Sequence, residues 1–151
     1  MAERASVSNR SSASIAPRRV KIFFYGLFMD IVLLREKGIE PVNVRAASAP
    51  DFSIRIGDRA TLVSDPDSQA YGMLMELTHD EIEQLYSEPS VHVYRPEAIS
   101  VKLSDGSHAA ALCYNLPVPQ TSEETNPEYA AKLCELARRL GFPSNYIDSI
   151  R

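Results

Sequence analysis

The sequence predicts a mixed α/β (α+β) domain built on an antiparallel or barrel-like sheet. Strand-like runs come in sequential pairs joined by Gly-containing turns, which favours hairpins over a doubly wound parallel sheet. Helical segments with their own start and stop residues stand between the strands, and one more stands at the end. The 151 residues are 44% apolar and 24% charged, the size and composition of one globular domain with a single core. There is no internal repeat.

Residues 1–19 stand outside this pattern. They carry five serines, Arg4, Arg10, Arg18 and Arg19, and only Glu3 as an acid, so they read as a disordered tail. The folded domain then spans residues 20–151. It opens with Val20-Lys21-Ile22-Phe23-Phe24-Tyr25, an apolar run read as a buried first strand that ends at Gly26. Residues 30–37 read as a short helix, with Asp30 as N-cap and Gly38 as its stop. Phe52, Ile54 and Ile56 alternate with polar residues up to Gly57-Asp58, and Thr61-Leu62-Val63 follow, which reads as a hairpin.

Ala70 to Leu77 reads as a further strand, interrupted by Gly72. Thr78, with Glu81 three residues on, has the form of a capping box before a helix that buries Ile82 and Leu85. A second hairpin runs through Ile99, Val101 and Leu103, turns at Asp105-Gly106 and returns from Ala109 to Leu116. Asn126-Pro127 begins the closing helix. Its apolar face is Ala130, Leu133, Ala137 and Leu140, and Gly141 ends it.

Several functions are disfavoured. A net charge of −4 offers no basic face for nucleic acid. No apolar run approaches the ~20 residues of a spanning helix, so no membrane partner is expected. Cys113 and Cys134 read as reduced core thiols of a cytoplasmic protein. His79, His92 and His108 lack metal-ligand spacing, so neither a metal nor another cofactor is expected. Neither a Gly-x-Gly-x-x-Gly, nor a Gly-Lys-Ser/Thr, nor a Gly-x-Ser-x-Gly motif occurs.

Three segments could carry chemistry. In Phe24-Tyr25-Gly26-Leu27-Phe28-Met29 a strand turns toward a helix. A glycine there lets backbone approach a ligand, and successive N–H groups could cradle a carboxylate. Glu88, just past a helix and against Pro89, has uncharged neighbours, and a carboxyl in a partly apolar pocket can shuttle protons near neutrality. In Tyr94-Arg95 a hydroxyl or a guanidinium could position a polar substrate. Each also has a plain structural reading: a strand end, a surface loop, a packed aromatic.

The order of these pieces closely resembles the γ-glutamylcyclotransferase-like superfamily, which includes the plant AIG2-like proteins. The resemblance rests on Phe24-Tyr25-Gly26-Leu27-Phe28-Met29, Tyr71-Gly72-Met73-Leu74-Met75-Glu76-Leu77, Leu85-Tyr86-Ser87-Glu88, Tyr94-Arg95, Asn126-Pro127-Glu128-Tyr129, Gly141-Phe142-Pro143 and Tyr146-Ile147. It implies a small barrel-like, mostly antiparallel sheet with flanking helices and a cavity at one end. It implies a cofactor-free enzyme that cyclises a γ-glutamyl group to 5-oxoproline and releases an amine or amino acid. Glu88 would be the catalytic acid/base, and the turn of Tyr25, Gly26, Leu27 and Phe28 would cradle the substrate; Met29, at the end of that turn, and Tyr94, from its hydroxyl, complete the candidate substrate-binding residues. Leu27 stands where the family usually has Ser or Thr, Tyr86 where it has Asp, and Pro89 where it commonly has Gly. The other reading is a catalytically silent domain of the same fold that binds an amino-acid-like metabolite or a protein partner.

Overall fold

The computed structural model describes residues 17–118 and 124–150. Residues 1–16, most of the expected N-terminal tail, lie outside the described residues. Residue 19 does not belong to a tail, because the first strand, β1, is Arg19–Phe24. After it come a short 3₁₀ turn at Leu27–Met29, α1 (Ile31–Glu36), β2 (Val42–Ile56) and β3 (Ala60–Thr78). The chain continues through α2 (His79–Leu85), β4 (Arg95–Leu103), β5 (His108–Asn115), α3 (Pro127–Leu140) and α4 (Ser144–Ser149).

Among the described residues the five strands close into a barrel in the order β1-β3-β2-β4-β5. Every pairing is antiparallel except β1 with β5, which meet in parallel at Ile22 and Leu112. Closure leaves no long open edge to template aggregation. The mixed fold with a barrel-like, mostly antiparallel sheet and flanking helices is the one the sequence predicts.

The second and third strands are longer than expected. The segments read separately as 52–63 and 70–77 form one hairpin of two long strands. The pairing slips between Pro50↔Gln69 and Phe52↔Ser64, so the polar stretch at 65–68 is an irregularity within β3 and not a loop. Gly72 does not interrupt β3 either. A Cβ there would run into the Phe24 carbonyl and the Phe23 ring, so glycine lets β1 lie against β3.

Helix boundaries follow their caps. Asp30 accepts from the Val32 N–H at 3.0 Å to start α1. Thr78 and Glu81 form the complete capping box of α2, with Thr78 N–H donating to Glu81 at 2.8 Å and Glu81 N–H to Thr78 at 3.2 Å. Asn126 caps α3 and Gly141 ends it. The barrel interior and the inner helix faces form one core around Ile22, Phe23, Leu74, Met75, Leu77 and Leu133, each no more than 1% exposed. Burying such side chains supplies roughly 1.5–3 kcal/mol each, before conformational entropy is charged against it. α4 was not expected; its Tyr146 packs against Tyr71 of β3 with ring centres 5.1 Å apart.

Candidate active site

A cavity of about 470 Å³ opens at one end of the barrel, within the roughly 300–1,000 Å³ of small-molecule sites. The turn residues Tyr25, Gly26, Leu27 and Phe28 line it, and so do Glu88 and Tyr94. Six of the seven residues singled out from the sequence therefore meet in one concavity. Met29 does not. Its side chain is 1% exposed in the core, and its N–H donates to the Gly26 carbonyl at 3.0 Å, so it closes the 3₁₀ turn.

The turn has the donors a carboxylate needs. Among the described residues, the N–H groups of Gly26 and Phe28 have no acceptor, and that of Leu27 reaches the Tyr129 hydroxyl at 3.3 Å. Asp30 already caps the adjacent helix, so the donors of interest belong to the turn and not to the helix end.

Glu88 is not surrounded by uncharged groups, as its sequence neighbours suggested. The Lys37 ammonium, 51 residues away in sequence, lies 3.0 Å from one carboxylate oxygen and 2.9 Å from the other. The side chains are 26% (Lys37) and 38% (Glu88) exposed, both at the cavity wall. Arg59 adds a second cation at the rim. Its Nε donates to the Ser90 carbonyl at 2.9 Å and one Nη to Asp58 at 3.2 Å.

Aromatic rings make up much of the remaining wall. Tyr86 stacks on Tyr114 with ring centres 4.0 Å apart and meets Phe28 edge-on at 6.0 Å. Tyr94 donates its hydroxyl to the Ala60 carbonyl, and Tyr25 donates to the Tyr114 carbonyl at 2.8 Å. These two phenols thus tie the ends of the strands together and do not stand free toward a ligand. Burial pushes the phenols of Tyr25, Tyr86, Tyr94 and Tyr129 up, so they are neutral at physiological pH. Arg95 turns outward and donates to the carbonyls of His92 and Tyr94.

The residues that sequence reasoning missed, Lys37, Arg59, Tyr114 and Tyr129, come from four separate places in the chain: the end of α1, the β2–β3 turn, β5 and α3. Only Tyr129 lay inside a motif quoted for the resemblance. Among the described residues no cluster of three or more His, Cys, Asp or Glu side chains could share a metal. Nor is any helix there long and apolar enough to cross a membrane.

The AIG2-like family model matches residues 69–150, more than half of the chain, from the irregularity of β3 to the end of α4. The chain belongs to the AIG2-like family. No curated protein matches it by sequence. Solved structures extend the fold assignment beyond the matched AIG2-like segment. A gamma-glutamyl cyclotransferase superposes with a TM-score of 0.73 at 16% identity, over 89% of each chain. An uncharacterised protein from Homo sapiens gives 0.72 at 18% identity over 88% of each. A protein from Arabidopsis thaliana gives 0.61 at 17% identity over 85% of this chain and 89% of its own. At such identities the likeness shows the fold that this AIG2-like chain shares with them.

Proposed function

We propose that this protein is a γ-glutamylcyclotransferase-like enzyme that converts a γ-glutamyl compound into 5-oxoproline and a free amine or amino acid. One observation carries the reading: the turn at residues 25–28, whose Gly26 and Phe28 N–H groups have no acceptor among the described residues, and the carboxylate of Glu88 line the same cavity. The turn N–H groups hold the substrate's α-carboxylate. Its α-amine then attacks its own γ-carbonyl and closes a five-membered ring. Glu88 takes a proton from the attacking nitrogen and delivers one to the leaving nitrogen as the amide bond breaks. Because the attack is intramolecular, the protein mainly holds the reactive conformer, and no metal or organic cofactor is called on. On this reading the reaction runs in the cytoplasm, a compartment in which Cys113 and Cys134 would stay reduced thiols.

Incubating the full chain with γ-glutamyl amino acids, glutathione, γ-glutamyl amines and an isopeptide, with and without a chelator, tests this reading. Release of 5-oxoproline from at least one, unchanged by the chelator, is expected. No release from any would leave the second reading, a silent binding domain, which Leu27 in the place of the family's usual Ser or Thr favours.

A further inference from the structure

We infer that Lys37 is a positioning residue for this reaction, holding the Glu88 carboxylate at the cavity wall with a two-oxygen grip. The inference rests on the proposed function for its chemistry, but its geometry stands apart from it.

Glu88 lies in the segment between α2 and β4, where a side chain of this length would sample several rotamers. Its backbone is tied locally, the carbonyl accepting from the Val91 N–H at 3.0 Å, yet the only side-chain bonds Glu88 makes among the described residues are to Lys37. The lysine is itself fixed from below. It is the C-cap of α1, its N–H donates to the Leu34 carbonyl at 3.0 Å, and its own carbonyl accepts from the Gln84 side chain at 2.7 Å. Gln84 sits on α2 and its carbonyl accepts the Ser87 hydroxyl at 2.8 Å, one residue before Glu88. One glutamine thus sets the distance between the backbone that carries Lys37 and the backbone that carries Glu88.

The ammonium then spans both carboxylate oxygens. A carboxylate offers about four lone-pair directions; Lys37 takes one on each oxygen and leaves one on each for a substrate amine. A half-buried pair that solvent still reaches adds little to stability. What this one does is restrict the acid/base group to one orientation at the cavity wall, where small misplacements are costly to rate.

The test compares full-length wild type with Lys37→Met, Lys37→Arg and Glu88→Gln, using γ-glutamyl-alanine as probe, or whichever tested compound wild type turns over. Lys37→Met should lower kcat by roughly tenfold to a hundredfold, on the scale of a misplaced general base. KM and the melting temperature should change little. Lys37→Arg, which keeps a cation able to bridge both oxygens, should recover most of kcat. A Lys37→Met enzyme with wild-type kcat would overturn the proposal, as would a Lys37→Arg enzyme as slow as the methionine variant. A crystal structure of Lys37→Met gives a readout independent of activity. Glu88 swung away or spread over several rotamers is expected, and an unmoved carboxylate would count against the grip even if wild type proved inactive on every substrate.

Discussion

A Cβ at Gly26 would overlap the Tyr129 hydroxyl, while the φ of −112° at that residue is open to any side chain. Glycine is therefore favoured here by the approach of the Tyr129 side chain and not by backbone strain. Gly26→Ala should destabilise the fold by about 1–3 kcal/mol, the scale of overpacking, and weaken substrate binding. Adding Tyr129→Phe removes the colliding oxygen, so the double variant should regain much of the lost stability in chemical denaturation. Additive losses would show that the collision is not the cause. Leu27→Ser keeps the same N–H and should disturb binding far less than Gly26→Ala, as titration with a γ-glutamyl amino acid would show. At this scale the turn was legible in the sequence because a glycine after an apolar strand is a local signal. Tyr129 was not legible as its neighbour, since 102 residues separate it from Leu27.

The capping box of α2 joins the end of β3 to the helix that leads to Glu88. Burial pushes the Glu81 carboxyl up, but hydrogen bonds from the Thr78 and Glu40 N–H groups, with Arg19 nearby, hold it below its usual 4.5. A lowered folded-state value gives stability that is present above the unfolded value and lost as the pH falls through the folded one. Glu81→Gln should therefore melt earlier than wild type at neutral pH, and the gap should narrow below about pH 4.5. Thr78→Ala should cost about 1 kcal/mol by the same denaturation measurement. Capped helices of this kind could be read from sequence because cap and box lie within four residues. α4 could not, since it has six residues and no side-chain cap, and is held by packing of Tyr146 and Ile147 into the core. The split that sequence reading made between residues 63 and 70 marks a true break in pairing, but β3 runs on through it because β2 carries a matching distortion at Asp51, whose carboxylate accepts from the Asp67 N–H at 3.2 Å.

Across the whole molecule, the cavity exists because the barrel closes. β1 presses on β3 at Gly72, and the Tyr25 hydroxyl reaches the end of β5. Gly72→Ala would set a Cβ against the backbone of Phe24, which cannot swing aside as a side chain can, so a loss of several kcal/mol or failure to fold is expected. A stable Gly72→Ala protein with unchanged activity would show that the contact is looser than described. The sequence order of strands and helices carried the fold class and the β2–β3 and β4–β5 hairpins, whereas the β1–β3, β2–β4 and β1–β5 neighbours that close the barrel are pairings no local pattern encodes. Lys37 escaped notice for the same reason: it became part of the site only when α1 and the segment after α2 were brought together. Under the proposed function, this shared cavity carries out an acid/base-assisted cyclisation at Glu88. The most direct test is the rate of 5-oxoproline release by Glu88→Gln beside wild type, on a substrate that wild type turns over. A fall of roughly 10²-fold or more with the melting temperature preserved is expected, and a glutamine variant that kept wild-type turnover would overturn the assignment of Glu88.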